Sequence, residues 1–149
     1  MKIQALDLTK RPPRSPRVRL GGYAILPRML DKGRAAIAGT IGEYKYACPL
    51  DEEFLDFAGV NPDALREQLA LGKGDGEILE WITANSRHPR TEPEILAWSI
   101  HQDQRAPGNV DSREYFHGLH KQVAPHRTDI VSWFDLLDVD DYLSYGGKP

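Results

Sequence analysis

The sequence predicts an all-α fold, and three observations carry that prediction. Apolar residues recur at helical spacing in short blocks. The first block places Leu26, Met29, Leu30, Gly33 and Ile37 at i, i+3, i+4, i+7 and i+11. Helix-start signals separate the blocks, as at Asn61-Pro62 and at Thr91, three residues before Glu94. Strand-like alternation is confined to Tyr44-Lys45-Tyr46, which lacks a clear partner, so at most one strand pair is expected. At 149 residues the chain is expected to form one domain spanning 1–149, with residues 1–22 as an N-terminal arm packing on the body. That length suffices to bury about 70% of the unfolded surface.

The arm is the most unusual stretch. Lys10, Arg11, Arg14, Arg17 and Arg19 are interleaved with Pro12, Pro13 and Pro16. Proline fixes its own φ and pushes the preceding residue out of the α region, so the segment is extended, with its cations splayed along it. Gly21-Gly22 permits a tight turn into the first helix, where Pro27 is tolerable in the first turn and Gly39 is a stop. Arg28, Asp31 and Lys32 lie opposite the apolar stripe. They are either solvated or, if the arm folds back, joined by Arg17 or Arg19 in a cationic pocket with Asp31 orienting one arginine.

The remaining elements follow in order. Asp51 is expected to cap a short helix carrying Phe54, Leu55 and Phe57, which Gly59 ends. Asn61-Pro62 opens a helix with Leu65 and Leu69 inward, ending near Gly72. GKGDG is a turn, and Asp75 caps a helix bearing Ile78, Leu79, Trp81 and Ile82. SRHP breaks the chain before the Thr91–Glu94 capping box. The apolar residues behind it, Ile95, Leu96, Trp98 and Ile100, spread so widely around the helix that a central position is expected. Asp111 caps a helix with Tyr115, Phe116, Leu119 and Val123, which Pro125 stops. Thr128 or Asp129 starts the last helix, with Ile130, Phe134 and Leu137 on one face beside Trp133.

Composition narrows the function classes. The formal charge is −3 and the pI about 5.9. A duplex-DNA binder is usually basic, so nucleic acid is an unlikely partner. Cys48 is the single cysteine, which excludes an intramolecular disulfide and a cysteine-based zinc cluster. Without an apolar run approaching ~18 residues or a signal-like start, no membrane association is expected and the cytoplasm is the default location.

Several residues invite chemistry. His117 and His120 form H-x-x-H on a helix, one side of which, with Glu114, offers ligands for a divalent metal. A third ligand must come from His101, His126 or His88, and the competing reading is a solvated face. No other cofactor is expected. Cys48 before Pro49 reads as a small core residue rather than a nucleophile, and Trp81, Trp98 and Trp133 read as core rather than as pocket lining. GKGDGE has the wrong glycine spacing for a nucleotide loop, and no metalloprotease or serine-hydrolase motif is present.

The runs LTKRPPRSPRVRLGGY, LPRMLDKGRA, YACPLD, GDGEILEW and DIVSWFDLLDVDDYLSYGG together resemble the bacterial domain-of-unknown-function family 5069, from about Leu8 to Pro149. The resemblance implies a small helical bacterial domain and brings no assigned activity, catalytic residue or metal ligand.

Three functions are therefore expected in competition. The first is a cytoplasmic binding module in which Arg17, Arg19, Arg28, Asp31 and Lys32 take a small anionic ligand or an acidic protein partner. The second is a metal-assisted hydrolase or isomerase built on His117, His120 and Glu114. The third is a structural or interaction protein whose arm clamps an acidic C-terminal end containing Asp129, Asp135, Asp138, Asp140 and Asp141.

Overall fold

The structure, a computed structural model, describes residues 3–149; Met1 and Lys2 of the expected arm lie outside the described residues. Among the described residues seven helices follow one another: α1 Leu26–Ala38, α2 Pro49–Ala58, α3 Pro62–Ala70, α4 Asp75–Asn85, α5 Glu92–Gln104, α6 Val110–Val123 and α7 Trp133–Ser144. Among the described residues no strand forms, and Leu20 and Tyr23 make a single antiparallel bridge. The chain is all-α, as its periodicity predicts. No helix among the described residues is long and apolar enough to cross a membrane.

The first helix is the hub. Nine of its thirteen residues are buried, including Arg28, Asp31 and Lys32, so it has almost no solvent face. Its apolar stripe packs against α2 and α3, and the arm and α7 cover the polar side. The solvated alternative for Arg28, Asp31 and Lys32 is thereby corrected, because another part of the chain occupies the space that water would take. Entry to α1 is tight. Ile25 has φ 72° and ψ −39°, and the N–H of Leu26 donates to the Ala24 carbonyl at 2.8 Å, a γ-turn of the rare positive-φ kind. Ile25 N–H donates to Pro16 O at 2.9 Å, which ties that turn to the arm. Gly33 lets α3 approach: a Cβ there would stand 2.6 Å from Leu69 Cδ1 and 3.0 Å from Tyr46 Cε1.

Several boundaries differ from the sequence expectation. Cys48, not Asp51, is the N-cap of α2, with Pro49 at the first helical position; Asp51 falls inside the first turn and is fully buried. The fourth helix is capped at Gly74, so Asp75 is already helical. Asn109 caps α6 through its side chain, two residues before Asp111. Ser132 caps α7, accepting from Asp135 N–H at 3.1 Å, so residues 128–131 are non-helical and Ile130 is buried from a loop. The Thr91–Glu94 capping box forms as expected. Helix α5 is not central, however: Leu96 is 58% and Ile100 44% exposed. Its buried contribution is polar, with Ser99 Oγ accepting from Ala24 N–H at 2.9 Å and donating to Gly22 O at 2.7 Å.

Two apolar clusters result. The larger joins Tyr23, Met29, Leu30, Phe54, Leu69 and Ile82 around α1, with Phe57 and Trp98 stacked on its edge at 4.9 Å between ring centroids. The smaller lies between α6 and α7 and contains Phe116, Ala124, Ile130, Leu136 and Val139. Clefts open along the seam between α7, α6 and the 42–50 segment.

Candidate functional site

The prolines extend the arm, and each of three arginines then finds its own carboxylate. The Arg14 backbone N–H and Nε donate to Asp31 Oδ2 at 2.9 and 3.0 Å, Nη2 donates to Asp31 Oδ1 at 3.0 Å, and Nη1 reaches Asp75 at 2.8 Å. Arg34 holds the other oxygen of Asp75 at 2.8 Å. Burial opposes charge on both sides of this cluster. The pairing prevails, raising the pKa of Arg14 and lowering that of Asp75. Arg17 runs to α7, pairing with Asp135 and, at 3.2 Å, with Asp138, while its guanidinium lies over the Phe134 ring. Arg19 forks onto Asp103 of α5 at 2.6 and 3.2 Å.

The candidate set therefore divides. Arg17 and Arg19 point to α7 and α5 and do not join Arg28 and Lys32. Asp31 does orient an arginine, but it is Arg14, which lies farther back along the arm than Arg17 and Arg19. Of the acidic C-terminal residues, Asp135 and Asp138 take Arg17, Asp141 takes Arg28, Asp129 pairs locally with Arg127, and Asp140 faces a cleft.

Arg28 and Lys32 remain together, one helical turn apart, at the floor of a cleft of about 700 Å³ between the arm, the 42–48 loop and α7. Arg28 Nη1 donates to Asp141 Oδ2 at 2.7 Å, and the Tyr44 hydroxyl donates to Asp141 Oδ1 at 2.7 Å. Burial works against the charge on Arg28, and Asp141 more than offsets it, so its pKa is raised. Burial and then Asp141 push the Tyr44 phenol up, so it stays a donor. Burial and the neighbouring Asp141 raise the Asp140 carboxyl. The Tyr145 hydroxyl closes one side by donating to Leu8 O at 2.6 Å.

Lys32 Nζ donates to Cys48 Sγ at 3.2 Å and lies 2.8 Å from Asp51 Oδ2. That ion contact lacks hydrogen-bond alignment, and neither Asp51 oxygen accepts a hydrogen bond although the residue is fully buried. Ala47, with φ 57°, turns the chain so that Cys48 faces the cleft half-buried instead of filling the core.

A second cleft, of about 540 Å³, is mainly apolar, with Leu119, Val123, Trp133 and Leu136 among its walls. Arg105 stands at its edge, 3.6 Å from Glu53 and 5.9 Å from the Trp133 ring centroid, with a buried Nε that has no acceptor. The two clefts share Cys48, Leu50, Tyr115, Leu137 and Asp140, so a polar end and an apolar end meet at the sulfur. Trp133 thus lines a pocket as well as packing on Phe116, while Trp81 and Trp98 pack on the larger core.

The histidine motif assembles differently. His117 and Glu114 are exposed, and His120 Nε2 is 2.6 Å from the Arg127 carbonyl oxygen. His88, His101 and His126 are exposed, and among the described residues no three His, Cys, Asp or Glu side chains are grouped to hold a metal. The expected binding set left out Tyr44, Arg14 and Asp141, the last two of which the sequence places in the basic arm and the acidic C-terminal end. The dense Arg and Asp content signalled pairing, but the partners lie 113, 97 and 17 residues apart.

A family model described as a domain of unknown function (DUF5069) matches residues 10–143. No protein of curated function matches the chain.

Proposed function

The chain belongs to the DUF5069 family, a domain of unknown function, and on that premise we propose that it binds a small amphipathic anion in the paired clefts, within the bacterial cytoplasm. The observation that carries this is the junction at Cys48, Leu50, Tyr115, Leu137 and Asp140, where a polar cleft floored by Arg28 and Lys32 runs into an apolar one. Ligand sites of this kind combine apolar walls with a few placed polar groups. Lys32 carries three donors, of which one goes to Cys48 and one faces Asp51. Lys45 adds an exposed cation at the polar rim. An acid head on an alkyl chain matches both ends. Support for a cytoplasmic setting is the single free thiol on this surface.

The test is thermal unfolding with decanoate, decanol, acetate and phosphate. Decanoate at 100 times its Kd adds about 2.7 kcal/mol, a rise on the order of 5–10 °C for a domain of this size. Leu119→Trp, which fills the apolar end, removes that rise without lowering the starting Tm. Acetate or phosphate matching decanoate, or a flat panel, refutes the proposal.

The ion pairs of Arg14, Arg17 and Arg19 favour a second role for the arm, as an intramolecular clamp. Deleting residues 1–20 then lowers Tm, while a deletion that leaves Tm unchanged dismisses the clamp.

A further inference from the structure

Cys48 is placed for more than shape. It is the N-cap of a ten-residue helix whose first turn begins with Pro49, so the N–H groups of Leu50 and Asp51 have no intrahelical acceptor. Its sulfur accepts from a lysine that is 3% exposed, and that lysine touches a fully buried carboxylate with both oxygens free of hydrogen-bond donors. Sulfur, ammonium and carboxylate form a chain of contacts ending in unused acceptor capacity. The sulfur also stands where the polar and apolar clefts meet, so the reactive end of an alkyl-chain ligand in the apolar cleft would lie beside it.

We infer that Cys48 is an acyl acceptor, taking an alkyl acyl group from a thioester. In the step, the Cys48 sulfur attacks the thioester carbonyl and a new sulfur–carbonyl bond forms. The bond from carbonyl to the donor's sulfur breaks, and the donor leaves as a thiol. The proton released from the Cys48 S–H passes to solvent in the open cleft and the departing thiolate takes one up from solvent, so Cys48–SH plus acyl thioester gives acyl-Cys48 plus free thiol. Lys32 balances charge on the sulfur as the proton moves, and the free helical N–H groups stand at the terminus favoured by a developing oxyanion.

The surroundings select this donor class. Neither cleft is lined by a histidine. An amide or alkyl ester needs a general acid for its poor leaving group, whereas a thiolate departs without one. Hydrolysis of the acyl-cysteine likewise lacks a histidine base, so the group is held rather than turned over. The proposal makes Cys48 a covalent holding site for the same class of chain that the clefts are proposed to bind, and it rests on that reading.

The test uses the full chain with the octanoyl and acetyl thioesters of N-acetylcysteamine, followed by intact mass and peptide mapping. Expected is one octanoyl group on Cys48, removable by hydroxylamine and formed at least about tenfold faster than the acetyl adduct, because the longer chain gains apolar burial. The same chain unfolded in urea shows no such preference. Leu119→Trp, which fills the apolar end, loses the preference for octanoyl. Lys32→Met, or Lys32→Met with Asp51→Leu if the single variant does not fold, reacts about tenfold more slowly with both donors. Cys48→Ser takes no acyl group. Decanoate binding without an adduct, equal octanoyl and acetyl rates, or labelling at another residue overturns acyl transfer alone. Loss of both decanoate binding and the adduct overturns the binding reading as well.

Discussion

Removing one partner of the buried Arg28–Asp141 pair should destabilise the protein more than removing both. Arg28 is 3% and Asp141 8% exposed, and the guanidinium meets the carboxylate at 2.7 Å. Asp141→Leu leaves the arginine charge buried with only the Arg14 carbonyl, at 3.3 Å, and the face of the Tyr44 ring. Arg28→Met leaves the carboxylate with the Tyr44 hydroxyl alone. Breaking a buried pair from one side costs about 3–5 kcal/mol, whereas replacing both charges by apolar groups of similar volume is often close to neutral. The double variant keeps one further loss, the Tyr44 hydroxyl's acceptor, which costs about 1 kcal/mol. Each single variant should therefore lose about 3–5 kcal/mol, and Arg28→Met with Asp141→Leu about 1 kcal/mol. Urea unfolding followed by tryptophan fluorescence reads this directly. With a slope of about 2 kcal/mol per molar, the singles shift the midpoint by about 2 M and the double by about 0.5 M. A double variant losing the sum of the two singles would show that the charges do not meet, and would remove Asp141 from the floor of the cleft.

Other perturbations test the frame around the site. Arg14→Lys keeps the charge but cannot grip Asp31 and Asp75 together, and should cost about 1–2 kcal/mol in urea unfolding; no change would mean that the arm is held elsewhere. Gly33→Ala gains about 1 kcal/mol of helix propensity but drives a methyl to 2.6 Å from Leu69, so a net loss of up to about 2 kcal/mol is expected, and a stabilised variant would contradict the α1–α3 contact. Asp75 and Asp135 have folded pKa values below the usual 3.8, so their stabilisation is full above that value and is lost as pH falls through the lower folded values; Tm should hold steady from pH 7 to 5 and drop below about pH 4. Asp140 has the opposite sign, its folded pKa being raised, so Asp140→Asn should raise Tm at pH 7, with the gain vanishing below 3.8.

Much of the fold was legible because local rules dominate there. The stripe Leu26, Met29, Leu30 is 0% exposed throughout, and the Asn61 and Thr91 caps accept the N–H groups that their spacing implies. The boundaries expected at Asp51, Asp111 and Thr128 or Asp129 fall elsewhere for local reasons. Pro49 takes the first helical position of α2 and so makes Cys48 the cap without a side-chain bond, while Asn109 and Ser132 stand at the position from which a side chain accepts the N–H three residues on, leaving Asp51 to face Lys32 and Asp135 to face Arg17. Helix α5 misled for another reason, since its apolar residues are spread but the chain leaves one side of it uncovered.

By itself the sequence determined the helical class, the seven apolar blocks, the extended course of the proline-broken arm and the all-or-none choice that one cysteine imposes on disulfides. These are properties of φ restriction, of side-chain period and of counting. Only the tertiary structure decided which aspartate each arginine meets, that the polar side of α1 is buried rather than wet, and that Cys48 stands between two clefts beside a buried lysine. An ion pair is selected by three-dimensional proximity and desolvation. Nothing in the one-dimensional spacing of Arg28 and Asp141, 113 residues apart, encodes a 2.7 Å contact.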